Sequence, residues 1–228
     1  DPTVHIGGQL DAIGGSTRIG HGDTFLAEAC EFKASFHHMH PTMAVVTNIE
    51  EDHLDFYKDI DDIQASFRRF LGLLPPWGMG NGDDPRVKAE LDRLTCKHQT
   101  FGMDEKSDWY PAELRYDAEG HGSFELMFQG KRVCTMALKV PGAFNVMHAL
   151  AAVATACALG VAPEDAAQAL AHFAGAHRRF ELTDTIDGVE LFHDYGHNPA
   201  EMRSVLSVAR LRCKGRLWAV MQPHTYSR

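Results

Sequence analysis

Apolar residues fall along this chain in distinct textures, and each predicts a different kind of element. Short runs without strict alternation, Thr24-Phe25-Leu26-Ala27 and Met43-Ala44-Val45-Val46, end in polar residues and predict strands buried on both faces of a parallel sheet. Ile63, Phe67, Phe70, Leu71 and Leu74 recur at helical spacing behind the cap candidates Asp61 and Asp62, and Pro75-Pro76 ends the pattern. Phe124, Leu126 and Phe128 then alternate with polar residues, Gly130 offers a turn, and Val133 to Val140 forms a second extended run, which predicts an antiparallel insert. The Ala-rich stretch Asn145 to Leu159 predicts a helix stopped by Gly160, and Pro163-Glu164-Asp165 starts another that runs to about Phe173.

Beyond Arg178-Arg179-Phe180-Glu181 the pattern becomes strand (Val189 to Phe192), polar turn, helix (Pro199 to Leu211) and strand (Leu217 to Met221), a βαβ unit. The expected fold is therefore α/β: a parallel sheet with flanking helices and a small antiparallel insert over residues 1–182, followed by the start of a second domain over 183–228. So short a βαβ unit cannot cover both faces of its own sheet, so the second domain is expected to continue past Arg228 in a longer parent.

Composition narrows the function without choosing it. The 228 residues are 44% hydrophobic and 23% charged, enough for a sizeable core. A formal charge of −9, with no long Lys/Arg run, argues against a nucleic-acid partner. Cys30, Cys96, Cys134, Cys157 and Cys213 are scattered without a C-x-x-C pair, which fits a reducing cytoplasm better than a disulfide or zinc framework. The most apolar stretch, Ala149 to Ala162, is broken by Thr155 and is shorter than the roughly 20 residues a membrane span needs. Asp1-Pro2-Thr3-Val4-His5 offers no signal peptide, and the missing initiator Met points to a trimmed fragment.

The densest polar cluster is Thr47-Asn48-Ile49-Glu50-Glu51-Asp52-His53-Leu54-Asp55, directly after an expected strand, where ligands bind in open α/β sheets. An imidazole among carboxylates can hold a divalent metal or a metal-bound phosphate, but the same residues can equally be a solvated loop that caps the next helix. Glu28-Ala29-Cys30-Glu31 closes the preceding strand, and on chemistry alone its glutamates read as solvated helix-start residues. Asn145, after Pro141-Gly142, reads as a helix cap. Arg178 and Arg179 have the planar fork and permanent charge that suit phosphate oxygens, although most arginine pairs are merely solvated. His193-Asp194-Tyr195-Gly196-His197-Asn198-Pro199 again occupies a strand end before a helix. His37, His38 and His40 look like a metal cluster, but their spacing sends them to different faces, and they read as non-ligands.

Taken in order, these segments resemble the Mur ligases, and specifically their alanine-adding branch. Thr-Asn-Ile-Glu-x-Asp-His-Leu-Asp is similar to the family's central motif, Glu-Ala-Cys-Glu to its Glu-Ala-Asp-Glu, and Pro-Gly-Ala-Phe-Asn to its Pro-Gly-x-His-Asn. Gly175 to Glu181 is similar to Gly-x-x-Arg-Arg-Phe-Glu, His193 to Pro199 to Asp-Asp-Tyr-Gly-His-His-Pro, and Gln222 to Arg228 to Gln-Pro-His-Arg-Tyr-x-Arg. The resemblance implies an ATP-dependent, Mg2+-dependent amide ligase of peptidoglycan synthesis that joins L-alanine to UDP-N-acetylmuramate, with a Rossmann-like C-terminal domain.

It also implies roles for individual residues. Glu28 and His53 serve magnesium, with Asn48 near the same site. Asn145 contacts adenine, Arg178 the ATP phosphates, and Asp194 the ribose. Tyr195 and His197 face the substrate, Arg228 recognises the amino-acid carboxylate, and Arg179 is a weaker phosphate candidate. Cys30, Phe144, His193, Asn198 and Thr225 depart from the family pattern. The family's G-x-x-x-x-G-K-[ST] phosphate loop, which lies just upstream of a segment like Asp1-Pro2-Thr3, does not occur in these residues. The chain is therefore expected to fold but not to turn over alone. A metal-dependent hydrolase using Glu28, His53 and Asp55, or a non-catalytic binding module, are the alternatives; tight retention of zinc or manganese after dialysis would favour the hydrolase.

Overall fold

A computed structural model describes residues 1–73 and 77–222, so Leu74, Pro75 and Pro76, and the segment that holds Thr225 and Arg228, lie outside the described residues. The chain runs β1 (Thr3–Leu10), β2 (Gly15–Arg18), β3 (Phe25–Ala27), β4 (Met43–Val46), α1 (Ile60–Leu71), β5 (Trp77–Asn81), α2 (Pro85–Leu91), β6 (Lys97–Phe101), β7 (Trp109–Tyr116), β8 (His121–Phe128), β9 (Lys131–Pro141), α3 (Ala143–Ala158), α4 (Pro163–His172), β10 (Glu181–Ile186), β11 (Val189–His193) and α5 (Pro199–Arg212).

The main sheet has the order β4-β5-β6-β7-β8-β9. β4 to β7 run parallel and β7 to β9 form an antiparallel meander, so the expected insert is a continuation of the parallel sheet. Helices cover both faces. On one side α1 and α2 bury Ile63, Phe70, Leu71, Val87 and Leu91 with Ala44, Val46 and Phe36. On the other, α3 and α4 pack Val146, Leu150, Val153 and Ala166 onto Met79, Phe101, Leu126 and Met136. The switch of face is visible within β5: Met79 belongs to the second core, while a Cβ on Gly80 would stand 2.6 Å from Val87 Cγ1 in α2. Glycine there lets α2 approach the sheet closely.

Several expectations need correction. β3 is not buried on both faces: Phe25 and Leu26 are exposed, and β3 pairs in parallel with β1 in a separate three-stranded sheet. β4 is an edge strand of the main sheet, with Ala44 and Val46 buried and Val45 turned outward. α1 is capped not by Asp61 or Asp62 but by Asp59, whose extended backbone lets its carboxylate accept the Asp62 N–H at 3.0 Å; Asp61 and Asp62 lie in the first turn.

The C-terminal βαβ unit is also revised. β11 pairs antiparallel with β10, from Glu181 opposite His193 to Ile186 opposite Val189. The two strands are joined by Asp187-Gly188, both with positive φ, the two-residue turn that matches strand twist. Leu217 to Met221 is not a strand: it pairs with none of the described strands, and Trp218 and Val220 are exposed. No helix among the described residues is long and apolar enough to cross a membrane.

Candidate functional site

The loop after β4 is held from below by α2. Asp84 caps α2, with Oδ1 accepting the N–H groups of Arg86 (2.8 Å) and Val87 (3.0 Å), while its Oδ2 accepts the Ile49 N–H at 3.1 Å. One carboxylate thus fixes a helix start and the loop that follows a strand, and Ile49 is fully buried. The loop then turns at His53, which has a left-handed φ of 52° and donates its N–H to Asp52 Oδ1 at 2.6 Å. The His53 carbonyl accepts from Phe56 and Tyr57, and its ring packs on Phe32 at 4.7 Å between centroids.

His53 Nε2 lies 3.3 Å from Glu31 Oε1, and Nδ1 lies 4.0 Å from Asp52 Oδ1. Glu31, Asp52 and His53 form a group whose ligand atoms all lie within 4.8 Å of one another, each partly buried. Two carboxylates and one imidazole suit a hard divalent cation that tolerates one nitrogen ligand, so the residues fit the implied Mg2+. Glu28 is placed apart from this group: it is exposed, and its Oε2 accepts the Gly7 N–H at 2.7 Å. Asn48 is exposed and accepts the Thr47 hydroxyl at 2.9 Å, and Asp55 is exposed. Sequence reasoning missed Glu31 and Asp52 as the carboxylates of His53. The usable signals were the second glutamate of Glu-Ala-Cys-Glu and the residue directly before the histidine.

The turn after β11 closes on this group. His197 Nε2 stands 3.7 Å from Asp52 Oδ2, so Asp52 lies between His53 and His197. Glu201 orients His197 from below: its Oε2 accepts the His197 N–H at 2.9 Å and lies 3.6 Å from Nδ1. Asn198 caps α5, accepting from Ala200 (3.1 Å) and Glu201 (2.9 Å), which gives this departure from the family's histidine a structural role.

The arginine pair, in the segment just before β10, packs against the same turn. Arg178 and Arg179 both face the Tyr195 ring, at 4.9 Å and 5.8 Å from its centroid, and the Tyr195 N–H donates to the Arg178 carbonyl at 2.9 Å. Asp194 braces the turn, with Oδ2 accepting the Phe180 N–H at 2.8 Å and Oδ1 the Gly196 N–H at 2.6 Å. Arg178, with φ 61°, donates its N–H to Glu181 Oε2 at 2.7 Å. Glu181 is held below the usual carboxylate range by that backbone bond and by His177.

Asn145 is not a helix cap. Gly142, at φ 100°, is the N-cap residue of α3, and Asn145 one turn on donates from Nδ2 to the Pro141 carbonyl at 2.8 Å. His37 bonds Ser66 in α1, and His38 and His40 are exposed. Arg228 lies outside the described residues.

A family model for the Mur ligase middle domain matches residues 21–156, well over half the chain. The chain belongs to the Mur ligase family. A second model, for the Mur ligase glutamate ligase domain, matches residues 178–227. Among curated relatives, the UDP-N-acetylmuramate–L-alanine ligase of Acetivibrio thermocellus is 43% identical over 231 residues, covering 100% of this chain and 49% of the relative. That of Lachnospira eligens is likewise 43% identical, covering 100% and 50%. Among solved structures, the UDP-N-acetylmuramate-alanine ligase of Thermotoga maritima has a TM-score of 0.78 at 28% identity, over 92% of this chain and 48% of that one. The Mur ligase chain thus spans about half the length of the curated relatives it matches. Its acid–histidine group falls in the middle-domain match, and its arginine turn and His197 fall in the C-terminal match.

Proposed function

We propose that the protein to which this Mur ligase chain belongs is an ATP-dependent, cytoplasmic UDP-N-acetylmuramate:L-alanine ligase of peptidoglycan synthesis. The observation that carries the reading is the meeting, at Asp52, of the Glu31–Asp52–His53 group with the turn that holds Asp194, Tyr195 and His197, against which the two arginines stack. Residues 1–182 are the part of the central ATPase domain without its phosphate-binding loop, and 183–228 the start of the ligase domain.

The lactyl carboxylate is a poor electrophile. ATP phosphorylates it to an acyl phosphate with loss of ADP, and the amine of L-alanine then attacks the acyl carbon, forming the amide and releasing phosphate. Mg2+, when bound, neutralises phosphate charge, and Glu31, Asp52 and His53 are the residues that would hold it; Glu28 is a further carboxylate of the same segment. Arg178 and Arg179, on the Tyr195 face, bind phosphate oxygens and stabilise the charge that builds on them. Asp194, already fixed by two backbone N–H groups, receives the ribose hydroxyls, and Asn145, its amide nitrogen held by the Pro141 carbonyl, presents its side-chain oxygen to the adenine amine. Tyr195 and His197 face the acyl group, and Arg228 pairs with the alanine carboxylate.

The experiment is isotope transfer. The full-length protein is given UDP-N-acetylmuramate labelled with 18O in the lactyl carboxylate, Mg-ATP and L-alanine. One label atom per turnover appears in released phosphate if an acyl phosphate forms, and unlabelled phosphate refutes the mechanism. The 228-residue chain alone gives no turnover; amide formation by it would contradict this account.

A further inference from the structure

His37 stood out in the sequence, yet it takes no part in the acid–histidine group. Its Nε2 lies 2.9 Å from the Ser66 carbonyl and 3.1 Å from Ser66 Oγ. Ser66 Oγ is 3.2 Å from the Tyr57 hydroxyl, which lies 2.6 Å from the Glu31 carbonyl. Tyr57 and Ser66 are both buried, and His37 stacks on the buried Phe36 at 4.8 Å between ring centroids.

The protons in this chain can be ordered. The Glu31 carbonyl only accepts, so the Tyr57 hydroxyl donates to it. The Tyr57 oxygen then accepts from Ser66 Oγ–H, and Ser66 Oγ, its proton committed, accepts from the His37 Nε2–H, which it shares with the nearer Ser66 carbonyl. His37 therefore carries its proton on Nε2, whatever the state of Nδ1. The relay runs in one direction, from His37 through Ser66 and Tyr57 to the backbone of Glu31.

Its end point is a segment that needs holding. Lys33 and Ala34, just after Glu31, both lie in the left-handed region with φ 52° and 54°, unusual for side-chain-bearing residues, and the Ala34 N–H also donates to the Glu31 carbonyl at 2.9 Å. Tyr57 comes from the chain just past His53, and the His53 carbonyl accepts the Tyr57 N–H at 2.9 Å. One tyrosine therefore ties together the backbones of Glu31 and His53, whose side chains lie 3.3 Å apart.

We infer that His37, Ser66 and Tyr57 are positioning residues that set the Glu31–His53 spacing for a divalent cation. The inference rests on the metal role proposed above for that group. Partners that orient a metal's ligands without touching it change affinity while leaving the fold in place.

The test is a Mn2+ titration of the full-length protein followed by electron paramagnetic resonance, alongside thermal melting of each variant. Y57F and H37L should weaken Mn2+ binding at least about tenfold, and H37Q, whose amide can still donate to Ser66, should stay within about twofold of wild type. Equal affinity in wild type and a folded Y57F overturns the inference while leaving the metal site standing. Should Y57F fail to fold, the leucine–glutamine pair at His37 decides: equal weakening by both overturns it. Absence of Mn2+ binding by wild type overturns the metal reading itself, and this inference with it.

Discussion

His197 Nε2 lies 3.7 Å from the Asp52 carboxylate, which ties the turn after β11 to the loop after β4. These residues are far apart in sequence and belong to segments matched by two different family models. Asp52 also accepts the His53 N–H. D52N keeps the shape and removes the charge. In the full-length protein it should lower kcat/KM about 10- to 100-fold, the range for losing one polar group around a metal site. Its melting temperature should stay within about 4 °C of wild type. Steady-state kinetics and calorimetry check both.

Glu90 is 1% exposed in its side chain, yet it is charged and fully engaged. Arg68 gives it two hydrogen bonds at 2.8 Å and Gln64 one at 2.6 Å. The Arg68 bonds hold its carboxyl below the usual range. A depressed carboxylate stabilises the fold above its unfolded value, and that stability is lost as pH falls through the lower folded value. R68M removes both Arg68 hydrogen bonds, leaving Gln64 and the more distant Arg93 at 3.7 Å, and should lower stability at neutral pH. The deficit should shrink as the medium is acidified past the carboxylate range, read by urea denaturation at several pH values.

His177 clasps the N-terminal hairpin to the arginine turn, with Nε2 2.9 Å from Asp11 Oδ1 and Nδ1 2.8 Å from Glu181 Oε1. Asp11 first, and then Glu181, raise its pKa above the ordinary histidine value. The stabilisation is complete below the unfolded pKa and lost as pH rises through the higher folded one. D11N should flatten that part of the stability-versus-pH curve, and NMR of the imidazole should show His177 titrating at a lower pH than in wild type. An unchanged titration in D11N would contradict the clasp.

Gly142 combines φ 100° with a crowded site: a Cβ there would stand 2.5 Å from Val208 Cγ2 in α5. G142A should cost about 1–3 kcal/mol through backbone strain and overpacking. The loss should concentrate at the contact of α3 with α5, so amide exchange should accelerate in α5 more than in β5 or β6.

The sequence made some of this legible for identifiable reasons. α1, α3 and α4 were readable because apolar spacing and stop signals agreed, and the end of β4 was marked by the polar run that follows it. β5, Trp77-Gly-Met-Gly-Asn, was not, because glycines that let α2 approach erase the apolar signature of a buried strand. β10 was hidden because five of its six residues are exposed, and the Asp187-Gly188 turn was the one clue to it. At the site, the histidines, arginines and strand-end turns were visible, but the pairing of His53 with Glu31 depends on the bend through Lys33 and Ala34, which local sequence does not encode.

The central claim is tested most directly by phosphate release from the full-length protein with Mg-ATP and UDP-N-acetylmuramate, given L-alanine, D-glutamate or glycine in separate reactions. The account predicts the strongest release with L-alanine, accompanied by the amide product. A folded protein that releases no phosphate with any of the three, or prefers D-glutamate, would contradict it.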